Sequence, residues 1–184
     1  GIPRIIEISK KYEPGKELAE KLWSEDVREL KILGTMLYPA KEFSRQKADE
    51  WVLEISNQEL REQVCKNLFQ NLDFAGELVY SWTKSIDTNT RATGYWLFAR
   101  LCITGSPLTD SVNKEDLLAG VIADLKNDSV LMRQSALNSL KFYGRLSEQN
   151  AISILNSVSS FKISDNSVEN EIYGQLKFEF GMFD

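Results

Sequence analysis

The chain of 184 residues contains no histidine, so its carboxylates, cations and aromatic rings are the side chains that could do chemistry. The absence of histidine excludes a Ser-His-Asp triad, a Cys-His pair and a histidine-based metal site. The sequence also has no GxxxxGKS loop and no GxGxxG fingerprint, which argues against a nucleotide cofactor. We therefore expect no cofactor and no metal.

Two stretches of the chain, residues 88–107 and 129–147, contain cations but no acidic residue. Their cations are Arg91, Arg100, Arg133, Lys141 and Arg145. A locally basic surface attracts the phosphate backbone of nucleic acids. Trp96 lies four residues before Arg100 and can either stack an exposed base or pack against a neighbouring helix. Because five cations are few, a merely solvated helix face is an equally valid interpretation.

The overall charge does not favour nucleic-acid binding, since the net charge is −5 and the pI is near 5.0. A DNA-binding surface would therefore have to be local. No signal peptide and no apolar run of membrane-spanning length occurs, which favours a cytoplasmic protein that does not bind a membrane. Cys65 and Cys102 lie in apolar helical patterns and are expected to be buried thiols.

Apolar residues recur at helical spacing almost throughout, and no stretch alternates long enough to predict a strand. Proline and glycine breaks, together with acceptor residues such as Ser44, Asn57, Asp73, Asn113 and Ser147, mark where helices end and begin. The resulting pairs are residues 44–55 with 57–69, 73–84 with 88–103, and 113–127 with 129–144. Trp51, Trp82 and Tyr95 fall on apolar stripes and are expected in the core.

Each predicted pair has a polar corner residue followed by an arginine early in its second helix. These residues are Asn57 and Arg61, Asp87 and Arg91, and Asp128 and Arg133. The arrangement resembles the HEAT repeat, in which such pairs tie successive repeats together. We therefore predict an all-α, HEAT-like helical-repeat solenoid of about five antiparallel pairs in a right-handed, curved array. It would form one domain over residues 1–184, capped by residues 1–38 and 147–184.

Several segments carry a resemblance to a known family. They are residues 1–3, 16–23, 27–29, 51–54, 62–69, 91–95 and 136–144. In these segments the chain resembles the bacterial DNA alkylation repair proteins, HEAT-like glycosylases that remove alkylated purines from DNA. The resemblance implies that duplex DNA, with or without an alkylated base, binds the concave face lined by the second helices.

The resemblance also implies site residues. The active glycosylases of the family hold the lesion with two tryptophans and an aspartate, assisted by arginines. Here Gln58 and Asn138 stand at the tryptophan positions and Glu62 at the aspartate, while Lys141 replaces one arginine and Arg91 retains another. Aromatic faces attract a cationic alkylated purine, and a carboxylate stabilises the positive sugar that forms as the glycosidic bond breaks.

The divergence at these positions leaves two functions open. One is a DNA-binding repair protein whose activity, if any, depends on Glu62 and is confined to N3- or N7-alkylated purines. The other is a non-enzymatic helical-repeat scaffold that binds proteins. Glu62 next to Arg61 and near Lys66 also has the pattern of an ordinary solvated helix residue. The predicted DNA-binding residues are Arg91, Trp96, Arg100, Lys141 and Arg145.

Overall fold

The computed structural model describes residues 1–184 and consists of α-helices and short 3-10 turns, with no β-strand. The prediction of an all-α fold is therefore confirmed. The chain divides into two compact units, Gly1–Ala75 and Gly76–Asp184. None of the helices combines the length and the apolar character that crossing a membrane requires. The single capped domain and the handedness of the array stay predictions.

The first unit contains five helices. They are α1 (Ile2–Ser9), α2 (Lys16–Ser24), α3 (Arg28–Leu37), α4 (Arg45–Leu53) and α5 (Gln58–Asn67). Helix α3 packs against α1, α2 and α5. The rings of Trp23 and Trp51 stack with their centroids 4.0 Å apart, and Tyr38 and Phe43 present edges to Trp51. This buried aromatic cluster forms part of the core of the first unit.

The second unit contains seven helices. They are α6 (Ala75–Trp82), α7 (Thr88–Ile103), α8 (Lys114–Asp124), α9 (Val130–Gly144), α10 (Glu148–Ser157), α11 (Ser159–Lys162) and α12 (Ser167–Glu179). Helices α7 and α9, the second helices of two predicted pairs, pack together more extensively than any other two. Between them, the rings of Phe98 and Tyr143 meet edge to face at 5.9 Å.

The start signals read from the sequence are mostly confirmed. The side chains of Ser44, Asn57, Asn113 and Ser147 each accept a hydrogen bond from the backbone N–H three residues later, at 2.9–3.1 Å. These bonds satisfy amides that have no partner within the helix. Asp73 was predicted to mark a helix start, but α6 begins two residues later, at Ala75.

The corner arginines also have structural roles. Arg91 Nη1 donates to the carbonyl of Ser85 at 2.9 Å, and Arg133 Nη1 donates to that of Asn127 at 2.8 Å. In both cases the acceptor lies six residues upstream, in the corner between the two helices of one pair. Arg91 also forms an ion pair with Asp124 on α8, the first helix of the next pair. Arg91 thus ties successive pairs through Asp124, and not through the predicted corner residue Asp87, whose carboxylate accepts from Thr90.

The predicted core residues are buried. Trp51, Trp82 and Tyr95 are each no more than 3% exposed. Cys65 and Cys102 are buried free thiols, and burial raises the pKa of Cys102 to about 12. A thiol with this pKa stays protonated and unreactive at neutral pH, so Cys102 is a packing residue.

Gly144, the last residue of α9, lies against Phe180, which follows the end of α12. A β-carbon at Gly144 would clash with the ring of Phe180 and would lie 3.0 Å from Ile154 Cδ1. Phe180 is only 3% exposed and has little room to retreat. We expect Gly144→Ala to lower the free energy of unfolding by about 1 to 3 kcal/mol, the usual cost of overpacking a core.

Denaturant unfolding measures this effect, and Gly174→Ala provides the matched control. Gly174 is an exposed residue of α12, and a β-carbon there would meet nothing within 4 Å. Alanine should therefore stabilise the protein by up to about 1 kcal/mol through its helix propensity. If Gly144→Ala also stabilises the protein, the close approach of Phe180 to α9 is not a requirement of the fold.

Candidate nucleic-acid interface

Three residues on α5 form a hydrogen-bonded chain that includes two predicted site residues. Gln58 Nε2 donates to Glu62 Oε1 at 3.1 Å, and Arg61 Nη1 donates to Gln58 Oε1 at 2.7 Å. Glu62 is exposed and Gln58 is half-buried, while Arg61 is only 3% exposed and its pKa is lowered by burial. The amide of Gln58 therefore bridges the exposed carboxylate to the buried guanidinium. Helix α5 thus presents one carboxylate to solvent at the predicted catalytic position.

Arg91 is held in a buried polar cluster on α7 and α8. Its Nε and Nη2 atoms donate to the two carboxylate oxygens of Asp124 at 3.0 and 3.1 Å. The hydroxyl of Tyr95 donates to Asp124 at 2.5 Å, and Asn127 Nδ2 donates to it at 3.2 Å. Burial, reinforced by the neighbouring carboxylate, raises the pKa of the Tyr95 hydroxyl. The guanidinium of Arg91 can contact a phosphate only in competition with Asp124, so its DNA-binding role stays a prediction.

Three other predicted residues line one cavity in the second unit. Trp96 on α7, with Asn138 and Lys141 on α9, borders a space of about 780 Å³ whose opposite wall is α12. A cavity of this size is typical of ligand sites. Nδ2 of Asn138 is buried and has no hydrogen-bond partner. The structure thus brings together a predicted stacking residue, a predicted lesion position and a predicted phosphate ligand.

The cations beside this cavity are paired with a single acidic residue. Glu179, the last residue of α12, has one carboxylate oxygen 3.3 Å from Lys141 Nζ and the other 3.9 Å from Arg145 Nε. Both cations also lie near the ring of Phe142, 5.3 and 5.7 Å from its centroid. Lys141 and Arg145 therefore share one surface of α9, and their positive charge is partly compensated.

Trp96 and Arg100 occupy successive turns of α7. The indole N–H of Trp96 donates to Ser135 Oγ on α9 at 3.2 Å, so Trp96 packs against the neighbouring repeat, one of its two expected arrangements. Its ring is partly exposed, and it borders the cavity. Arg100 is also partly exposed but does not line the cavity.

Two acidic residues of this region were not among the predicted site residues. Asp124 lies on the same face of α8 as Leu117 and Val121, so its position on an apolar stripe was a signal that it is buried and paired. Glu179 carried no such signal, because its partners lie more than thirty residues away on α9. Only the packing of α12 against α9 brings these charges together.

Comparison with known proteins agrees with this architecture. A family model of DNA alkylation repair enzymes matches residues 3–159. A solved structure described as a new family related to the HEAT-like repeat DNA glycosylases, with affinity for branched DNA structures, superimposes with a TM-score of 0.73. It is 17% identical, and the match covers 97% of this chain and 80% of that one.

A designed armadillo repeat protein is also similar, with a TM-score of 0.47, 10% identity, and coverage of 96% of this chain and 92% of that one. No curated protein sequence matches the chain significantly. The likeness to the glycosylase-related structure confirms a HEAT-like helical-repeat fold. Since the family model spans most of the sequence, the chain belongs to the DNA alkylation repair enzyme family.

Proposed function

We propose that this protein binds duplex DNA through the exposed surface of its second helices and is weak or inactive as a glycosylase. The observation that supports binding most strongly is the cavity bordered by Trp96, Asn138 and Lys141, with Arg145 four residues after Lys141 and directly beyond the end of α9. A partly exposed aromatic ring beside two cations suits a nucleic acid, since bases stack on aromatic rings and phosphates pair with cations. Trp96, Arg100, Lys141 and Arg145 are the proposed DNA ligands.

Binding can be tested with the native chain and three duplexes that are intact, abasic or alkylated at one position. We expect affinity to fall steeply with increasing salt, because phosphate contacts release condensed counterions. Tighter binding of the alkylated or abasic duplex would support a role in repair. Absence of binding to all three duplexes at low salt would remove the proposal.

A protein-binding scaffold is the second candidate function, and one feature favours it. Phe178 on α12 is 84% exposed and borders the same cavity as Leu137 of α9. Trp96 borders this cavity too, and apolar residues grouped on one surface are typical of sites that bind other proteins. The DNA titration separates the two candidates, because a scaffold for proteins requires no salt-dependent affinity for DNA.

Any glycosylase activity should depend on Glu62 and be limited to purines alkylated at N3 or N7. Such bases are cationic and leave readily, so one exposed carboxylate that stabilises the positive sugar could suffice. The amides at Gln58 and Asn138 offer no aromatic face, and a neutral base requires more assistance than one carboxylate provides. We therefore expect no release of uracil or hypoxanthine.

The decisive variant for catalysis is Glu62→Gln, which keeps the shape of the side chain and removes its charge. If the native chain releases methylated purine from duplex DNA, this variant should be slower by on the order of a hundredfold. Glu115→Gln, an equal charge change at an exposed position of α8, is the control and should match the native rate. Equal release by the native chain and Glu62→Gln would show that Glu62 is not catalytic.

A further inference from the structure

Helix α12 places an anion against two cations of the proposed DNA-binding surface. One oxygen of Glu179 lies 3.3 Å from Lys141 Nζ, and the other lies 3.9 Å from Arg145 Nε. The side chains of Lys141 and Arg145 remain 33% and 43% exposed, so solvent and a ligand can reach them. One carboxylate is thus ion-paired with both of the cations that a phosphate group would pair with.

The attachment of α12 to α9 fixes this arrangement. Ile172 and Leu176 bury the inner face of α12, and Phe180, directly after Glu179, fits against Gly144. Glu179 is thus adjacent to a buried anchor rather than on a free tail. Helix α12 also lies beyond residues 3–159, the part of the chain that matches the family, so this contact is not implied by family membership.

We propose that Glu179 competes with DNA phosphates for Lys141 and Arg145, so that α12 acts as a built-in restraint on DNA binding. This inference rests on the proposed DNA-binding function and concerns the regulation of the same surface. Exposed ion pairs are weak and are screened by salt, so a dense polyanion such as duplex DNA can displace one carboxylate. A ligand with a single negative charge has no such advantage over Glu179.

The restraint has a distinct effect on the salt dependence of binding. When phosphates displace Glu179, the released carboxylate attracts a cation from solution. This uptake offsets part of the counterion release that drives protein–DNA association. Removing the charge of Glu179 should therefore increase affinity at low salt and also make the dependence of affinity on salt steeper.

The test compares Glu179→Gln with Glu171→Gln in binding to an intact duplex. Glu171 lies two turns earlier on α12 and borders the same cavity, but it forms no ion pair with Lys141 or Arg145. Both substitutions remove one negative charge from the same helix. We expect Glu179→Gln to bind about three- to tenfold more tightly than Glu171→Gln at low salt, with a log–log salt slope steeper by about one.

A double-mutant cycle tests whether Glu179 changes the affinity for DNA through Lys141 and Arg145. In a Lys141→Gln/Arg145→Gln background, Glu179→Gln should bind no better than its parent, because the cations that it would release are absent. Thermal unfolding of each variant checks that α12 remains attached. The restraint would be overturned if Glu179→Gln still increased the affinity for DNA in this background. It would also be overturned if Glu171→Gln increased the affinity equally, or if Glu179→Gln bound DNA more weakly than the native chain. Failure of every variant to bind duplex DNA would instead overturn the proposed function itself.

Discussion

Replacing Asp124 with alanine is expected to lower the free energy of unfolding by about 3 to 5 kcal/mol, the cost of breaking a buried ion pair. Asp124 is 8% exposed and accepts hydrogen bonds from Arg91, Tyr95 and Asn127. Without the carboxylate, the guanidinium of Arg91 loses two charge-assisted bonds while it stays largely buried. The Tyr95 hydroxyl, which is also buried, loses its acceptor. Urea unfolding of the variant and the native chain measures the difference.

Asp116→Ala is the matched control, since it removes an acidic residue from the same helix. Asp116 pairs with Lys84 at 3.9 Å, and both side chains are about half exposed. An exposed pair of this kind contributes no more than about 1 kcal/mol. A comparable loss in the two variants would contradict the view that Asp124 joins two successive repeats through a buried cluster.

Much of the helical framework could be predicted from the sequence because its determinants are local. Apolar spacing of three and four residues identified the pairs around α5, α7 and α9. Side-chain acceptors at Ser44 and Asn57 marked helix starts that the structure places within a residue or two. Gln58 and Glu62 are four residues apart, so they lie on one face of α5, where they form a hydrogen bond.

Contacts between segments that are far apart in the sequence could not be predicted from such local patterns. Arg91 was expected at a DNA-facing position, and only the tertiary structure reveals that its guanidinium donates to Asp124. A stretch without acidic residues, such as 129–147, predicts a basic surface only if no acid approaches from another element. Glu179 approaches this stretch from α12, and the next residue, Phe180, packs against Gly144 at the end of α9.

Reversing the charge of both Lys141 and Arg145 is expected to weaken binding to duplex DNA by about 10- to 100-fold at low salt. The substitutions remove two phosphate ligands and place two anions beside Glu179. Because each phosphate contact contributes about 0.9 to the log–log salt slope and the displacement of Glu179 offsets about one, the slope should become shallower by about one. The neutral variant Lys141→Gln/Arg145→Gln should show the same reduction in the salt slope but a smaller loss of affinity.

The control for net charge is Lys10→Glu/Lys11→Glu. These lysines are exposed near the end of α1 and lie outside the proposed surface. Both double reversals change the net charge from −5 to −9, since each replaces two positive charges with two negative ones. If the overall charge alone governs association with DNA, the two variants should lose affinity equally.

The most direct test of the proposed DNA-binding function is a fluorescence-anisotropy titration of a duplex at several salt concentrations. The native chain and both charge-reversal variants would be compared under the same conditions. We expect Lys10→Glu/Lys11→Glu to keep most of the native affinity and the native slope, and Lys141→Glu/Arg145→Glu to lose both. Equal affinities and equal slopes for the native chain and Lys141→Glu/Arg145→Glu would contradict the assignment of this α9 surface to DNA.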